Sequence, residues 1–426
     1  MVVNRCTPDY NSPLRICMLS YRSNPHCGGQ GVYVKNLSRA LRDLGHAVTV
    51  VAGPPDPGLN EGIRHIPLHG LDLYDPADPF RMPTLRELAD PVNFMEWAGV
   101  CTMGFPEPFT FGLRALRFLK HRAADVDVLH DNQSLSYGVW ALSRRMPTLA
   151  TIHHPVTIDR RAAVRAETTF WKKLKQRRWY SFIGMQKRVA RALAPIITVS
   201  ECSRRDIRRE FGIPAAHLRV VPNGIDTDLF RPLPGVDREP GRVIVTNSAD
   251  IPLKGLTHLL HALAHILRSR NHIRLVVIGT AREDGAVEAL VRALGIGRHI
   301  EFTGRIDAAE FVRQYARASL AVIPSLYEGF GLPAGEAMAC AVPVVSTTGG
   351  ALPEVVGDAG RLVPPADPPA LARAIRELLD NPGTARELGL AGFQRVHRHF
   401  TWRRAAEQTV SVYREAVGGH RRLRPS

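Results

Sequence analysis

No run of about 18 apolar residues occurs in the 426-residue chain, so no membrane-crossing helix is expected. The opening stretch, MVVNRCTPDYNSPLR, has no basic segment followed by an apolar core, and does not read as a secretory signal. Cysteine is scarce. Cys6, Cys17, Cys27, Cys101, Cys202 and Cys340 are scattered, with no CxxC pair and no zinc spacing. That pattern excludes a disulfide scaffold and fits free, reduced thiols in a cytoplasmic protein. Acid is in deficit: 40 Asp and Glu stand against 56 Lys and Arg, a net charge of +16. Such a field favours polyanions, namely nucleic acid, anionic lipid headgroups or phosphorylated substrates. No nucleic-acid module and no RNP-type aromatic motif accompanies the charge, so no specific nucleic acid is expected as a partner.

What is present is an alternation of short apolar runs with amphipathic segments. RICMLS reads as a buried strand and NPHCGGQG as a loop. The segment after it carries Val34, Leu37, Leu41 and Leu44 at the helical period. HAVTVVAG, VDVLH, TLATIHH and APIITVS read as further strands, while 53–112 looks irregular, with short helices near 84–90 and 111–122. The proline- and glycine-rich stretch VPNGIDTDLFRPLPGVDREPGR interrupts this rhythm. The alternation then restarts with RVIVTNS, IRLVVIG, IEFTG, LAVIPS and VPVVST as strands. The pattern predicts an α/β protein of two doubly wound, Rossmann-like domains with parallel sheets facing a central cleft. We place a flexible tail at 1–13, an N-terminal domain at 14–222, a linker at 223–241 and a C-terminal domain at 242–398. A C-terminal helix and basic tail at 399–426 would cross back to the first domain. Ligands of open parallel sheets bind at the carboxyl ends of the strands, and the motifs fall there.

GGQG at 28–31 is a glycine turn opening a helix, an anion site in principle. It is not GxGxxG, which disfavours a nicotinamide cofactor. In EGFGLPAGE, Glu328 and Glu336 stand eight positions apart around three glycines and a proline. Gly329 and Gly331 weaken a helix, and Pro333 suits a first turn, so Glu328 belongs on a loop and Glu336 one turn into a helix. Such carboxylates suit the vicinal hydroxyls of a sugar or ribose. A metal would bring more ligands nearby, and none is evident. A glycosidase pair is conceivable, though the spacing does not demand it. Lys254, between a strand and a helix, suits a phosphate or is plainly solvated. Gly349 and Gly350 form another glycine turn before a helix. His153 follows the strand TLATI, where a structural role is the commoner one. Asp125 and Asp127 form a DxD at the wrong end of a strand for a sugar-nucleotide metal site.

In order and spacing these segments resemble the family 4 retaining glycosyltransferases of the GT-B fold. The match runs from about Leu14 to about Arg395. EGFGLPAGE corresponds to the family's E-x7-E motif, and VPNGIDTDLF, Lys254–Gly255, FTGRI and GGALPEVV match further landmarks. The resemblance implies a hexosyltransferase with a nucleoside diphosphate sugar as donor substrate, no cofactor and no metal. Glu328 would hold donor-sugar hydroxyls, Glu336 the ribose, and Lys254 the departing diphosphate. Gly329, Phe330, Gly331 and Leu332 would offer backbone amides, Arg305 and Ile306 would flank the base, and Gly349 and Gly350 would complete the donor site. Gly28, Gly29 and Gly31 would approach the diphosphate from the N-terminal domain, and His153 would match a histidine near the donor sugar. One departure is visible: where relatives carry Gly-Arg before the motif lysine, this chain has Ser248 and Ala249.

The excess charge is concentrated. Between Arg160 and Arg191 eleven Lys and Arg face a single acid, Glu167. Trp171, Leu174, Phe182, Met185 and Val189 recur there near helical spacing. Trp171, Lys172, Lys173, Lys175, Arg177 and Arg178 are therefore read as a membrane or acceptor patch, with a core helix bearing a solvated basic face as the alternative. The expected protein is cytoplasmic, peripheral on the inner membrane face, with a lipid-linked or phosphorylated acceptor. The rivals are a sugar nucleotide epimerase or hydrolase on the same fold, and a non-catalytic polyanion-binding protein.

Overall fold

The computed structural model describes residues 12–24, 29–75, 78, 81–246, 251–283 and 285–423. The chain divides into two compact units. The first comprises residues up to Thr198, Asp206–Val221 and the chain from Ala405, and the second comprises Val199–Arg205 and Pro222–Arg404.

The first unit holds seven strands: β1 (Arg15–Ser20), β2 (Ala47–Ala52), β3 (Arg64–Pro67), β4 (Val128–Asn132), β5 (Thr148–Ile152), β6 (Ile196–Thr198) and β7 (Leu218–Val220). They lie in the order β3-β2-β1-β4-β5-β6-β7, every neighbouring pair parallel. β4 and β5 are buried at every residue, as a sheet covered on both faces requires, although β4 carries the polar residues His130, Asp131 and Asn132. The helices of this part of the chain are α1 (Gly29–Asp43), α2 (Leu85–Leu88), α3 (Pro91–Cys101), α4 (Glu107–Leu119), α5 (Tyr137–Ser143), α6 (Thr157–Ala166), α7 (Phe170–Trp179), α8 (Ile183–Ala192) and α9 (Glu201–Phe211).

The second unit has six strands: β8 (Glu239–Thr246), β9 (Arg274–Ile278), β10 (Ile300–Phe302), β11 (Ala318–Ile323), β12 (Val344–Thr347) and β13 (Arg361–Val363). Their order is β10-β9-β8-β11-β12-β13, again all parallel. Its helices are α10 (Leu256–Leu267), α11 (Ala286–Leu294), α12 (Ala308–Arg317), α13 (Leu332–Ala339), α14 (Leu352–Val356), α15 (Pro368–Asp380) and α16 (Pro382–His399), followed by α17 (Trp402–Leu423). The period-two geometry of a strand divides this core in two. Val243, Val245, Leu275, Val277, Leu320 and Val322 face one layer with α10 and α15. Ile244, Val276, Ile278, Ala321 and Ile323 face the other, with α12 and α13.

The stretch read as a linker at 223–241 is built into the second unit. Ile225 and Phe230 lie in its core, the Ile225 amide donates to the Phe400 carbonyl at 2.8 Å, and β8 begins at Glu239. The chain does return to the first unit along α17, where Tyr413 donates to or accepts from His130 Nδ1 at 2.7 Å in the core. The basic segment 160–191 is not one helix. It is broken into α6, α7 and α8, and Met185 and Val189 belong to the core while Trp171 does not. Residues 1–11, which include most of the expected tail, lie outside the described residues. No described helix is long and apolar enough to cross a membrane.

Candidate active site

In the second unit three loops converge at the carboxyl ends of neighbouring strands β8, β11 and β12. The sheet reverses its winding between β8 and β11, the place where open parallel sheets bind ligands. The loop after β8 closes with a short 3-10 turn, Pro252–Lys254, and Gly255 in the left-handed region at φ 68°. A Cβ on Gly255 would stand 2.0 Å from the Pro324 carbonyl oxygen, so glycine is required for this approach. The Leu326 amide donates to the Leu253 carbonyl at 2.8 Å, joining the loops after β8 and β11. The loop after β12 closes on the same place. The Ala351 amide donates to the Glu328 carbonyl at 2.9 Å, and a Cβ on Gly350, at φ 68°, would meet that carbonyl oxygen at 2.2 Å. Gly349 lies equally close to the Ser325 and Leu326 carbonyls. Gly349 and Gly350 thus brace the glutamate loop from behind.

On this frame Lys254 Nζ donates to Glu328 Oε1 at 2.8 Å, and Ser325 Oγ donates to the same oxygen at 2.8 Å. The two charged side chains are 28% and 12% exposed, shielded but open to solvent. Glu336 sits in the second turn of α13, which Gly331 (φ 107°) and Pro333 open. It keeps some surface exposure, but the dense surroundings of its carboxyl push it up to about 7, against a smaller downward pull from Lys254. The three residues named from the sequence, Lys254, Glu328 and Glu336, are therefore brought together. The ion pair of Lys254 and Glu328 stands beside a carboxyl, that of Glu336, that is near its titration point at neutral pH.

The loop that leads into α13 is held through its carbonyls. The Glu328 carbonyl is held by Ala351, and the Gly329 carbonyl accepts from Ser200 Oγ at 2.7 Å and Ser203 Oγ at 3.1 Å. Phe330 turns its ring into the core against Phe400, so only its backbone is available to a ligand. Arg305 is exposed on the loop leaving the edge strand β10, and no hydrogen bond or ion pair joins it to the Lys254–Glu328 pair among the described residues; Ile306 packs on the core. Gly28, Ser248 and Ala249 lie outside the described residues.

The first unit gathers its own polar cluster at the carboxyl ends of β1, β4 and β5. His153 follows β5, and its Nε2 lies 2.8 Å from Asn132 Oδ1. Asn132 Nδ2 points to the Gln30 carbonyl at 3.3 Å, which can only accept, so Oδ1 faces the histidine and Nε2 carries the proton. Burial, then the neighbouring His154 and His130, push His153 down to about 3, so the ring is neutral near pH 7. Tyr33 of α1 meets the His153 ring edge-on at 4.7 Å and shares a 3.0 Å hydrogen bond with Thr151. Asn132 thus ties the first turn of α1 to His153. Gly29 is exposed there, whereas Gly31 is required by the fold itself, since a Cβ would meet the Asn24 carbonyl oxygen at 1.9 Å. The loop after β4 is wound tightly, with Gln133 and Leu135 both at positive φ. At the other end of β4, Asp127 is engaged with the backbone and guanidinium of Arg15.

Two other features lie apart. A cavity of about 390 Å³ in the first unit is lined by His69, Arg114, Arg117, Phe118 and Arg122 and holds none of the residues above. Its Arg114 and Arg117 are already paired with Glu96 and Asp90. On α7 no residue is buried, and Phe170, Trp171 and Leu174 are 66%, 75% and 40% exposed. Lys172, Lys173, Lys175 and Arg177 have no ion-pair partner among the described residues, while Arg178 bonds Ser181 and Thr102. Trp179 anchors the helix by stacking on Phe105 at 5.0 Å.

Sequence reasoning missed Asn132, Ser200, Ser203 and Glu354. Ser200 was visible as a helix-capping residue before α9, but its partner lies 129 residues away.

Comparison with known proteins adds the following. A family model described as Glycosyltransferase Family 4 matches residues 27–229, and one described as Glycosyl transferases group 1 matches residues 241–381. An MMP alpha-(1->4)-mannosyltransferase of Mycolicibacterium hassiacum is 46% identical over 409 residues, covering 95% of this chain and 98% of that protein. A D-inositol 3-phosphate glycosyltransferase of Kineococcus radiotolerans is 33% identical, covering 96% of each chain. Among solved structures, sucrose-phosphate synthase from Thermosynechococcus elongatus superposes with a TM-score of 0.71 at 25% identity, covering 95% of this chain and 100% of that one.

Proposed function

The chain belongs to the family 4 (group 1) glycosyltransferases of the GT-B fold, and from that membership we propose that it transfers a hexose from a nucleoside diphosphate sugar, with retention of configuration and without a metal. Mannose is the first sugar to test, because the Mycolicibacterium relative is named as an α-mannosyltransferase. The observation that carries the reading is the Lys254–Glu328 pair at the reversal point of the second sheet, with Glu336 beside it.

Each group has work that its chemistry suits. Glu328, held by Ser325, accepts hydrogen bonds from donor-sugar hydroxyls. Lys254 offers a positive charge to the diphosphate as the sugar–oxygen bond breaks, when charge on the leaving oxygen is largest. A cation fixed in advance stabilises that state more than the ground state. Glu336 accepts from ribose hydroxyls, and the amides of Gly329–Leu332 receive phosphate or sugar oxygens. His153, neutral and oriented by Asn132 within the first unit, is suited to hydrogen bonding rather than to acting as a cation. Net retention requires that the acceptor hydroxyl and the leaving diphosphate use the same face of the sugar, with the acceptor's proton passing to the departing phosphate oxygen.

We place the protein at the inner face of the cytoplasmic membrane. The exposed aromatic and unpaired cations of α7 support contact with anionic headgroups there, and a lipid-linked or phosphorylated acceptor agrees with that surface.

The deciding experiment incubates the protein with GDP-, UDP- and ADP-hexoses and α-oligomannoside or lipid-linked acceptors. Product is identified by mass spectrometry, and the anomeric configuration by NMR. Transfer with an α-linkage from an α-donor supports the reading. Free sugar released at full rate without any acceptor would replace it with a hydrolase, and an altered sugar nucleotide with an epimerase.

A further inference from the structure

The glutamate loop is held by a helix from a distant part of the chain. Ser200 Oγ and Ser203 Oγ both donate to the carbonyl of Gly329, at 2.7 and 3.1 Å. Both serines are buried, at 2% and 0% exposure. Ser200 also accepts from the Ser203 amide at 3.0 Å, so it caps α9 and grips the loop with one hydroxyl. The start of α9 is itself clamped. Glu354 of α14 accepts from the amides of Glu201 and Cys202 at 2.8 and 2.7 Å, and Arg395 holds the Glu354 carbonyl at 2.9 Å. Ala351, one turn before Glu354, holds the preceding carbonyl, that of Glu328.

Two consecutive carbonyls of the loop are therefore fixed on the protein side. In a planar trans peptide the N–H points opposite to the C=O. The amides of Gly329 and Phe330 are thereby turned away from Ala351 and from α9. Neither has a protein acceptor among the described residues. A buried residue such as Phe330 does not leave its amide unmatched without cost, and a ligand oxygen is the natural acceptor. Successive amides presented in this way form an anion-holding nest.

We propose that Ser200 and Ser203, backed by Glu354, are positioning residues that aim the Gly329 and Phe330 amides at the diphosphate of the donor. This rests on the nucleoside diphosphate sugar reading above. The serines touch no substrate; they act through the orientation of one peptide plane. The two hydroxyls share one acceptor, so loss of Ser203 loosens the plane without removing the α9 cap, which Ser200 supplies.

The test compares wild type with Ser203→Ala, which removes a single oxygen, Ser203→Thr, which retains the hydroxyl, and Glu354→Gln. Affinities for GDP, UDP and ADP are measured by calorimetry beside those for guanosine, uridine and adenosine. For the nucleotide that wild type binds, Ser203→Ala should weaken the diphosphate five- to tenfold and the bare nucleoside less than twofold. Donor KM should rise in step, Ser203→Thr should restore both values, and Glu354→Gln should show the same selective loss to a smaller degree. Equal weakening of nucleoside and diphosphate would mean a merely structural role and would overturn the proposal. So would unchanged diphosphate affinity in Ser203→Ala while wild type binds. Should wild type bind none of the three diphosphates, the donor reading itself falls, and the proposal with it.

Discussion

Glu336→Gln should make the protein more stable at pH 8 and, at the same time, a poorer binder of nucleosides. Its surroundings push the Glu336 carboxyl up to about 7, whereas an unfolded glutamate titrates near about 4.3. Below the lower value both states carry the proton, and Glu336 costs nothing through ionisation. As pH rises through the window the unfolded chain gives up its proton first, so unfolding becomes easier. Above about 7 the folded state ionises as well, and the penalty levels off. Glutamine does not ionise and escapes it. The full window is worth roughly 3.7 kcal/mol at most, and about 2 after discounting for Glu336's remaining solvent contact. For a unit of this size that is a rise of roughly 4–8 °C in the midpoint for the second unit at pH 8. At pH 4.5 the variant and wild type should melt together. Differential scanning fluorimetry in a series of buffers from pH 4.5 to 8.5 reads this directly. Binding should move the other way, because an amide presents one acceptor where a carboxylate presents two and carries no charge. About a tenfold loss of nucleoside affinity is expected. A melting difference that is the same at pH 4.5 and pH 8 would refute the reasoning, since it would trace to packing and not to ionisation.

Lys254→Ala should lower turnover about 10²- to 10³-fold while changing affinity for the bare nucleoside less than twofold, since its charge acts on phosphate; equal losses in both would argue against that role. The same change removes the one charge that draws Glu336 downward, so the fall of stability with rising pH should continue to higher pH before it levels off. Replacing Lys172, Lys173, Lys175 and Arg177 with serine should cut retention on vesicles containing anionic lipid at least tenfold at low salt, given about 1 kcal/mol per surface cation; undiminished retention would retire the lipid surface. Gly350→Ala should cost more than about 1–2 kcal/mol and take most activity with it, because the added methyl meets the Glu328 carbonyl at a left-handed φ; a variant with normal melting and turnover would show that the brace behind Glu328 is dispensable.

Much of this architecture could be read before any coordinates, and the failures have physical causes. β1, β5, β9 and β11 lie inside their sheets and their apolar runs announce them, whereas β4, VLHDN, is buried throughout yet polar over its last three residues. β3, β7 and β13 are edge strands or strands near the edge, three or four residues long, and too brief to carry a period. The proline- and glycine-rich run at 223–241 signals turns correctly, but it says nothing of where turns go. Ile225 and Phe230, spaced inside it, were the sign that it packs. Between 160 and 191 the apolar spacing suggested continuity, while the breaks at Glu167–Thr169 and Tyr180–Phe182 come from capping and a 3-10 turn. Lys254, Glu328 and Glu336 were legible because local glycines and a proline dictate the loop-to-helix turn that presents them. Asn132, Ser200, Ser203 and Glu354 were not, because each acquires its role from a partner 21 to 153 residues away. Gly31 was legible as a glycine with a purpose, but its close neighbour is the chain's own Asn24 carbonyl.

The two glutamates of EGFGLPAGE share a side chain and differ in everything the fold supplies. Glu328 lies on the loop, where a lysine and a serine converge on one of its oxygens. Glu336 lies eight residues on, inside α13, where the helix ladder occupies the nearby backbone donors and only a weaker influence of Lys254 reaches it. Gly329 and Gly331 lie among the three residues that separate Glu328 from the start of α13, so that both carboxyls end beside the same lysine. A substrate that carries hydroxyls at two separated points, with negative charge between them, would satisfy this arrangement in one pose: hydroxyls to each carboxylate, the charge to Lys254 and to the turned amides. A sugar joined through a diphosphate to a ribose has that order of groups. A simple sugar lacks the middle charge and a free nucleotide lacks the first hydroxyls, so neither would engage all of it.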